Sequence, residues 1–450
     1  MHVNLSDQFI DDLFDLCEVR FPHNVVHQAK RCLLDYLGVT FAGAWMLKEK
    51  GEKLLDLMRG GAGDSAVIGF DRKASVENAA FINGLSSHVA ELDDGVRFGM
   101  IHPGAPVFSA LLSVAEKERV HGADFIKGII VGYEAEVRLA CAIQPSHYGR
   151  GYHPTSTCGT IGAAMGISAM LGFTKKEMKD TLSAAAVSAA GTLKVIEDGS
   201  EIKPFNVGRA AVNALLATYV ARAGFKGLDD VFCGDAGFFS MMADECNVEE
   251  LKRVDGGPYA VEKAYVKPYA ACRHAHPAIE AALKIKADKR ITVDTIKEIK
   301  VLTYRTVIGK HDHTEISGSP SAKMSIPYGL AVALMTGKAG IDQFNSEHVN
   351  NSNILSLVEK ISVCADDEIS NLVPKQRAAI VEVLTYAGDY FSERIDYPKG
   401  EPENPLSDSE LEAKFSLLAS YGKKNDKEIH EITNVVWSLE KELQKLFELL

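Results

Sequence analysis

Through most of the stretch up to Phe225, apolar positions recur at the three- and four-residue spacing of a helix with one buried face. VVHQAKRCLLDYLGVTFAG from Val25, SVENAAFINGLSSHVAEL from Ser75, VFSALLSVAEKERV from Val107 and FIKGIIVGYEAEVRLACAI from Phe125 all follow it. Ser75 stands where an N-cap hydroxyl belongs. GTIGAAMGISAMLGF, MKDTLSAAAVSAAGTL and GRAAVNALLATYVARAGF carry Ala and Gly on more than one face. Small residues let helices approach closely, so these segments predict buried members of a helical bundle.

The pattern changes near Val261. IKEIKVLTYRTVI (Ile296 to Ile308) is alternating and β-branched, as a strand is, and Arg377 to Gly400 reads as a strand running into a charged hairpin. Helical spacing lies between them in HPAIEAALKIKAD, SIPYGLAVALMTGKAG and NSNILSLVEKIS. It returns after PLSDSEL, whose Pro and Ser are start signals. The expected fold is mainly α: a large all-helical domain over 1–262, an inserted α+β domain over 263–400, and a return to the helical domain over 401–450.

Composition narrows the function classes. The net charge of -12 argues against general nucleic-acid binding, though a pocket in an acidic protein can be locally basic. No run of about 18 apolar residues is present, and MHVNLSDQFIDDLFDL lacks the basic and apolar regions of a secretory signal. The eight scattered cysteines contain no CxxC pair and read as free thiols of a reducing cytoplasm. GGAGDSAVIGF lacks the GxGxxG spacing of a dinucleotide site, and no GxSxG elbow is present.

Five stretches carry candidate chemistry. ELDDGVRFGMIHPGAP crowds Glu91, Asp93, Asp94, Arg97 and His102 into a glycine-broken connection; it reads either as a proton-transfer loop or as a solvated loop of capping acids. GRGYHPTSTCGTIGAA sets His153 before a helix start suited to a carboxylate, with capping by Thr155 or Ser156 as the alternative. EIKPFNVGRAA brings Lys203 and Arg209 to another helix start. VKPYAACRHAHPAIEAAL brings Lys267, Cys272, Arg273, His274 and His276 to a third. KMSIPYGLAVAL carries Tyr328, which reads as core by itself. The pairs His274/His276 and His311/His313 each lack a nearby third ligand, so no metal is expected from them.

Taken in order, ELDDG…HPG, HPTSTCGTIGAA, KPFNVGRAA, KPYAACRHAHPAIEA, SIPYGLAVAL and PKGEPENPLSDSELEAKF resemble the MmgE/PrpD family over nearly the whole chain. That family includes 2-methylcitrate dehydratases, cis-aconitate decarboxylases and iminodisuccinate epimerases. The resemblance implies a helical domain with an α+β lid, a homodimer, a small di- or tricarboxylate substrate, and neither metal nor organic cofactor. It implies acid–base roles for His102 and His153, with Asp93 or Glu91 orienting a histidine and Tyr328 donating a proton or hydrogen bond. It places Lys203 and Lys267 at the site, and Arg97, Cys272, Arg273 and His276 are further candidates for binding substrate. Glu91, Gly95 and Cys272 differ from the aspartate, threonine and histidine that a decarboxylase of the family would carry there. The expected activity is that of a lyase, dehydratase or decarboxylase, with an epimerase of an amino- or imino-dicarboxylate and a non-catalytic carboxylate binder as alternatives.

Overall fold

A computed structural model of the protein describes residues 4–58, 63–196, 200–287 and 291–450. Two compact units divide the chain: Met1–Val195, Ile202–Tyr265 and Ser407–Leu450 form one, and Ile196–Glu201 with Val266–Leu406 form the other. Helix dominates both. Helices of seven residues or more are labelled here.

In the first unit these are α1 (Leu5–Cys17), α2 (His23–Met46), α3 (Lys48–Leu57), α4 (Val76–Val89), α5 (Gly104–Lys117), α6 (Gly122–Ile143), α7 (Pro154–Met170), α8 (Lys175–Ser188) and α9 (Lys203–Arg222). Every residue of α7 is buried. Its small residues are the reason. A Cβ on Gly162 would lie 2.4 Å from Glu136 Cβ, and one on Gly166 would lie 2.8 Å from the Gly128 carbonyl oxygen, so α6 and α7 meet backbone to backbone. α4 is held in the same way on two sides. A Cβ on Gly43 of α2 would lie 1.8 Å from the Ser86 carbonyl oxygen, and one on Gly84 would lie 2.7 Å from Gly208 Cα of α9. The Ser75 hydroxyl caps α4 by accepting from Asn78 N–H (3.3 Å).

The first unit is not wholly helical, against expectation. β1 (Ser65–Val67) and β2 (Arg72–Ala74) form an antiparallel hairpin whose turn uses positive φ at Gly69 and Asp71. A tertiary contact holds these short strands: the Asn83 side chain accepts from Ile68 N–H (2.9 Å) and donates to the Ala66 carbonyl (3.1 Å). Gly60 and Gly61, read above for a dinucleotide motif, lie outside the described residues.

The second unit contains α10 (His276–Ala287), α11 (Ile326–Thr336) and α12 (Ser352–Val358) with a sheet of order β4-β3-β5-β6. The strands are β3 (Ile296–Thr303), β4 (Ile361–Ala365), β5 (Ala379–Thr385) and β6 (Tyr390–Ile395). β5 alternates buried and intermediate positions, and α10 packs on β5 and β6. β3 stops at Thr303, short of Ile308, because residues 305–307 turn into a single 3₁₀ turn. β4 pairs parallel to β3, with Val301 opposite Val363, where a continuing helix was expected. Pairing with β3 decides the conformation of these β-branched residues, which local spacing left open.

The chain then returns to the first unit as α13 (Asp408–Tyr421), α14 (Asp426–Trp437) and α15 (Leu439–Leu449). Ser407 and Glu410 form a capping box at the start of α13. From α13, Lys414 Nζ reaches Asp35 Oδ1 of α2 (2.5 Å) and donates to the Leu92 carbonyl (2.9 Å). The side chains are 9% and 1% exposed, so this is a buried ion pair that also pins the connection after α4. Lys414→Met is expected to destabilise the protein by about 3–5 kcal/mol, because it strands the Asp35 carboxylate. The double variant Asp35→Leu/Lys414→Met should recover most of that loss in urea unfolding; equal losses in single and double variants would contradict the pairing.

Candidate active site

α4 ends one turn before a connection that is almost entirely out of water. Glu91, Asp93, Asp94 and Arg97 are all buried, which does not fit a solvated capping loop. Glu91 turns the chain at φ +57, a left-handed conformation unusual for a side chain of its size. Gly95 then pairs with Tyr265, its N–H donating to the Tyr265 carbonyl (3.2 Å) while Tyr265 N–H returns to Gly95 (2.8 Å). A Cβ on Gly95 would lie 2.4 Å from Tyr265 Oη, so the threonine expected of a decarboxylase has no room here. Val96 and Ile101 close a small loop, and Pro103 leads into α5.

Each buried carboxylate has its own donors. Asp93 Oδ2 lies 2.6 Å from Nδ1 of His88, at the end of α4, and 3.6 Å from Nδ1 of His102. Asp94 accepts from Gly104 N–H (3.0 Å) and from the Tyr133 hydroxyl (2.7 Å). Glu91 forms an ion pair with Lys203, the first residue of α9. Burial pushes the Asp94 carboxyl up to about 7, with the charges of Asp93 and Asp35 adding to it and the Tyr133 hydrogen bond opposing. Glu136 of α6 lies behind this group with both carboxyl oxygens buried; burial, then the Asp94 charge, hold its pKa well above the usual carboxylate range.

Hydrogen bonds set the histidine tautomers. His102 Nδ1 lies 2.6 Å from the Asp94 carbonyl oxygen, which can only accept. Nδ1 therefore carries a proton, and Nε2 is a lone-pair base whenever the ring is neutral. His102 N–H also donates to Thr155 Oγ1 (3.2 Å), so Thr155 anchors the histidine as well as opening α7. His153 caps α7, and its Nδ1 lies 3.2 Å from Asn206 Nδ2. The same Asn206 nitrogen donates to the Thr192 carbonyl (3.3 Å), which identifies it as the amide NH₂. Nδ1 of His153 is thus an acceptor, and its proton sits on Nε2. Burial, then the nearby His88, Lys203 and His102, hold the His153 pKa well below the usual imidazole value. His153 is neutral and a donor; His102 presents an acceptor.

Between them lies His88, whose ring centroid is 5.3 Å from that of His102 and 5.8 Å from that of His153. It is fully buried, with Nδ1 on Asp93 and Nε2 without a hydrogen-bond partner among the described residues. His88, Asn206 and Tyr133 were not singled out from sequence. The only local signal for His88 is an imidazole on a buried face of α4.

The second unit holds most of the remaining candidates, while Arg97 and Arg209 belong to the first. Lys267 is fully buried. Arg273 directs its guanidinium inward: Nε donates to Glu401 (3.0 Å), Nη1 to His276 Nδ1 (2.8 Å) and to the Lys399 carbonyl (3.2 Å). His276 Nε2–H then donates to the Ala271 carbonyl (3.1 Å), so Arg273 and His276 tie the start of α10 to residues 398–401. Tyr328 donates its hydroxyl to the Gln343 carbonyl (2.9 Å) and packs on Phe344. Arg97 lies over the Phe98 ring (4.7 Å), and Arg209 reaches Ser156 (3.1 Å). His274 and His276 do not share a site. Instead His274 comes together with Cys272 and His311, their donor atoms all within 4.8 Å of one another.

Comparison with known proteins assigns the class. The MmgE/PrpD N-terminal domain matches residues 16–251 and the MmgE/PrpD C-terminal domain matches residues 269–439, so the chain belongs to the MmgE/PrpD family. Within it, the chain is similar to the cis-aconitate decarboxylase-like protein oryM of Aspergillus oryzae, with 26% identity over 461 residues, 97% of this chain and 95% of that protein. It is also similar to the cis-aconitate decarboxylase of Mus musculus (25% identity; 93% of this chain and 87% of that one). The cis-aconitate decarboxylase of Homo sapiens gives 25% identity, covering 93% of this chain and 88% of that one.

Asp94 makes stability depend on pH. Its carboxyl titrates at 3.8 when unperturbed and near 7 in the fold, so between those values the folded chain holds a proton that the unfolded chain has lost. The sign follows: this group lowers stability as pH rises through that window. Asp94→Asn should flatten the decline in Tm from about pH 5 to about pH 8. An unchanged slope would show that Asp94 is ionised throughout.

Proposed function

We propose that the protein is a lyase that removes water or a carboxyl group from a small di- or tricarboxylate. The observation that carries this reading is the complementary hydrogen bonding of two imidazoles, with Nδ1 of His102 on a backbone carbonyl and Nδ1 of His153 on a side-chain amide. The names of the similar proteins support the decarboxylase form of it.

The chemical task is to tolerate charge on a carbon beside a carboxylate. His102 Nε2 takes a proton from that carbon, or stabilises the substrate while carbon dioxide departs. Neutral His153 keeps its proton and donates an Nε2–H hydrogen bond to the carboxylate oxygen on which charge develops; the leaving hydroxyl takes the proton that His102 has removed, and in a decarboxylation the carbon takes its proton from water. Asp93 favours the imidazolium of His102 once it forms, from 3.6 Å. Lys203 supplies a cation beside them, already balanced by Glu91. Placing such charges before the reaction avoids solvent reorganisation as charge develops. The same pair would serve an epimerase, in which the proton is taken and returned with no group lost.

Mass spectrometry after incubation with citrate, 2-methylcitrate, aconitate and amino-dicarboxylates tests the reading. Loss of water or carbon dioxide from one of them is expected. Deuterium uptake from solvent without loss of a group would replace the lyase by an epimerase, and binding with neither would replace it by a non-catalytic carboxylate binder. On the active substrate, His102→Ala and His153→Ala should each cut turnover by about 10²–10⁴ with the fold intact. Near-native turnover in both would remove the assignment.

A further inference from the structure

The second unit contains a group of side chains that the proposed acid–base chemistry does not use. Cys272, His274 and His311 bring one thiol and two imidazoles together, with ligand atoms within 4.8 Å of one another. We propose that these three residues bind a divalent transition-metal ion of the zinc class, through one thiolate and two neutral imidazoles, with a fourth position open to an anion. This goes beyond the lyase reading and does not depend on it.

The donor set is the first argument. One sulfur and two ring nitrogens suit zinc and its neighbours, and three protein ligands leave one position open. In a tetrahedral site with metal bonds of about 2.0–2.3 Å, donor atoms sit about 3.4–3.6 Å apart. The present spacing needs a closure of about an ångström, and because the His274 and His311 rings are stacked at 4.9 Å with 24° between their planes, one ring must also turn for both lone pairs to meet an ion.

Outer hydrogen bonds are the second argument. His311 Nδ1 lies 2.9 Å from the Met324 carbonyl oxygen, which can only accept, so the proton is on Nδ1 and Nε2 carries the lone pair. His274 Nδ1 lies 2.5 Å from the Tyr304 hydroxyl, which holds the ring; ligation through Nε2 requires Nδ1–H to donate to that hydroxyl. Imidazole ligands are typically held by such a bond on the other ring nitrogen. Backbone bonds hold the contributing segments together: Cys272 N–H donates to the Lys323 carbonyl and Ile326 N–H to the His311 carbonyl, both at 2.8 Å. Cys272 and His274 are partly exposed, which gives an ion a way in, while His311 is buried.

The surrounding charge decides what else is bound. The charges of Arg377, Lys310 and Lys267 act on His274. The same cations oppose a bare dication. A thiolate at Cys272 offsets part of that repulsion, and an anion in the fourth position, a carboxylate or hydroxide, offsets more. The site therefore takes the metal together with an anion.

Cobalt(II) is the probe, because a thiolate bound to it gives an intense charge-transfer absorption. Metal-stripped full-length protein is titrated with Co²⁺ in acetate buffer near neutral pH, with no substrate present. One equivalent should bind with a charge-transfer band, and Zn²⁺ should displace it. Cys272→Ala should abolish the band, and His311→Ala should weaken binding at least tenfold. His313→Ala, which removes the second imidazole of the other histidine pair and is no member of the cluster, should keep the band. Circular dichroism shows whether each variant is folded, and Cys272→Ser provides a second thiol-free variant. Absence of a charge-transfer band at stoichiometric cobalt, or a band that survives in folded Cys272→Ala and Cys272→Ser, overturns the proposal.

Discussion

Carboxylates taken out of water must find donors, and the connection between α4 and α5 is built around that requirement. Glu91, Asp93 and Asp94 are all buried there. Lys203 answers Glu91, His88 and His102 answer Asp93, and Tyr133 and Gly104 N–H answer Asp94. An unpaired buried carboxylate would cost several kcal/mol, so each of these contacts restricts where α4, α5, α6 and α9 can lie. The close glycine contacts of α4 with α2 and α9 follow the same logic, because a looser bundle would let water between the carboxylates and their partners.

That arrangement also sets the proton chemistry. A backbone carbonyl fixes one tautomer at His102 and a side-chain amide fixes the other at His153. Neither choice depends on a bound substrate. Burial keeps His153 neutral, and the Asp93 carboxylate makes protonation of His102 easier once it accepts a proton. One imidazole is placed to receive a proton and the other to donate a hydrogen bond, with His88 packed between them.

Features set by neighbours in sequence were legible before the structure. Ser75 capping α4, the Ser407–Glu410 box before α13 and the alternation of β5 all have local causes. The abundance of Ala and Gly in α7 also foretold its burial. The residue types of the 91–106 connection were legible as chemistry, but their burial was not, since it depends on Tyr265, Tyr133 and Lys203. His88 was missed because its neighbours come from two later segments, the 91–106 connection and the start of α7. Cys272, His274 and His311 likewise meet only in the fold, which takes one ring from each histidine pair. β4 needed β3 beside it to become a strand.

Membership of the MmgE/PrpD family and the geometry at Gly95 bear on each other. The chain matches both domains of the family, yet Tyr265 Oη occupies the space that a side chain at position 95 would need. A substrate contact made from that position elsewhere in the family must be made differently here or be absent, and the two histidines do not depend on it. The opposed tautomers are the central claim, and they are directly measurable. Long-range ¹H–¹⁵N correlation spectra of histidine-labelled protein near neutral pH, with His102 and His153 assigned by substitution, report which ring nitrogen carries the proton. The account predicts the Nδ1–H form at His102 and the neutral Nε2–H form at His153; the same tautomer at both, or an imidazolium at His153, would contradict it.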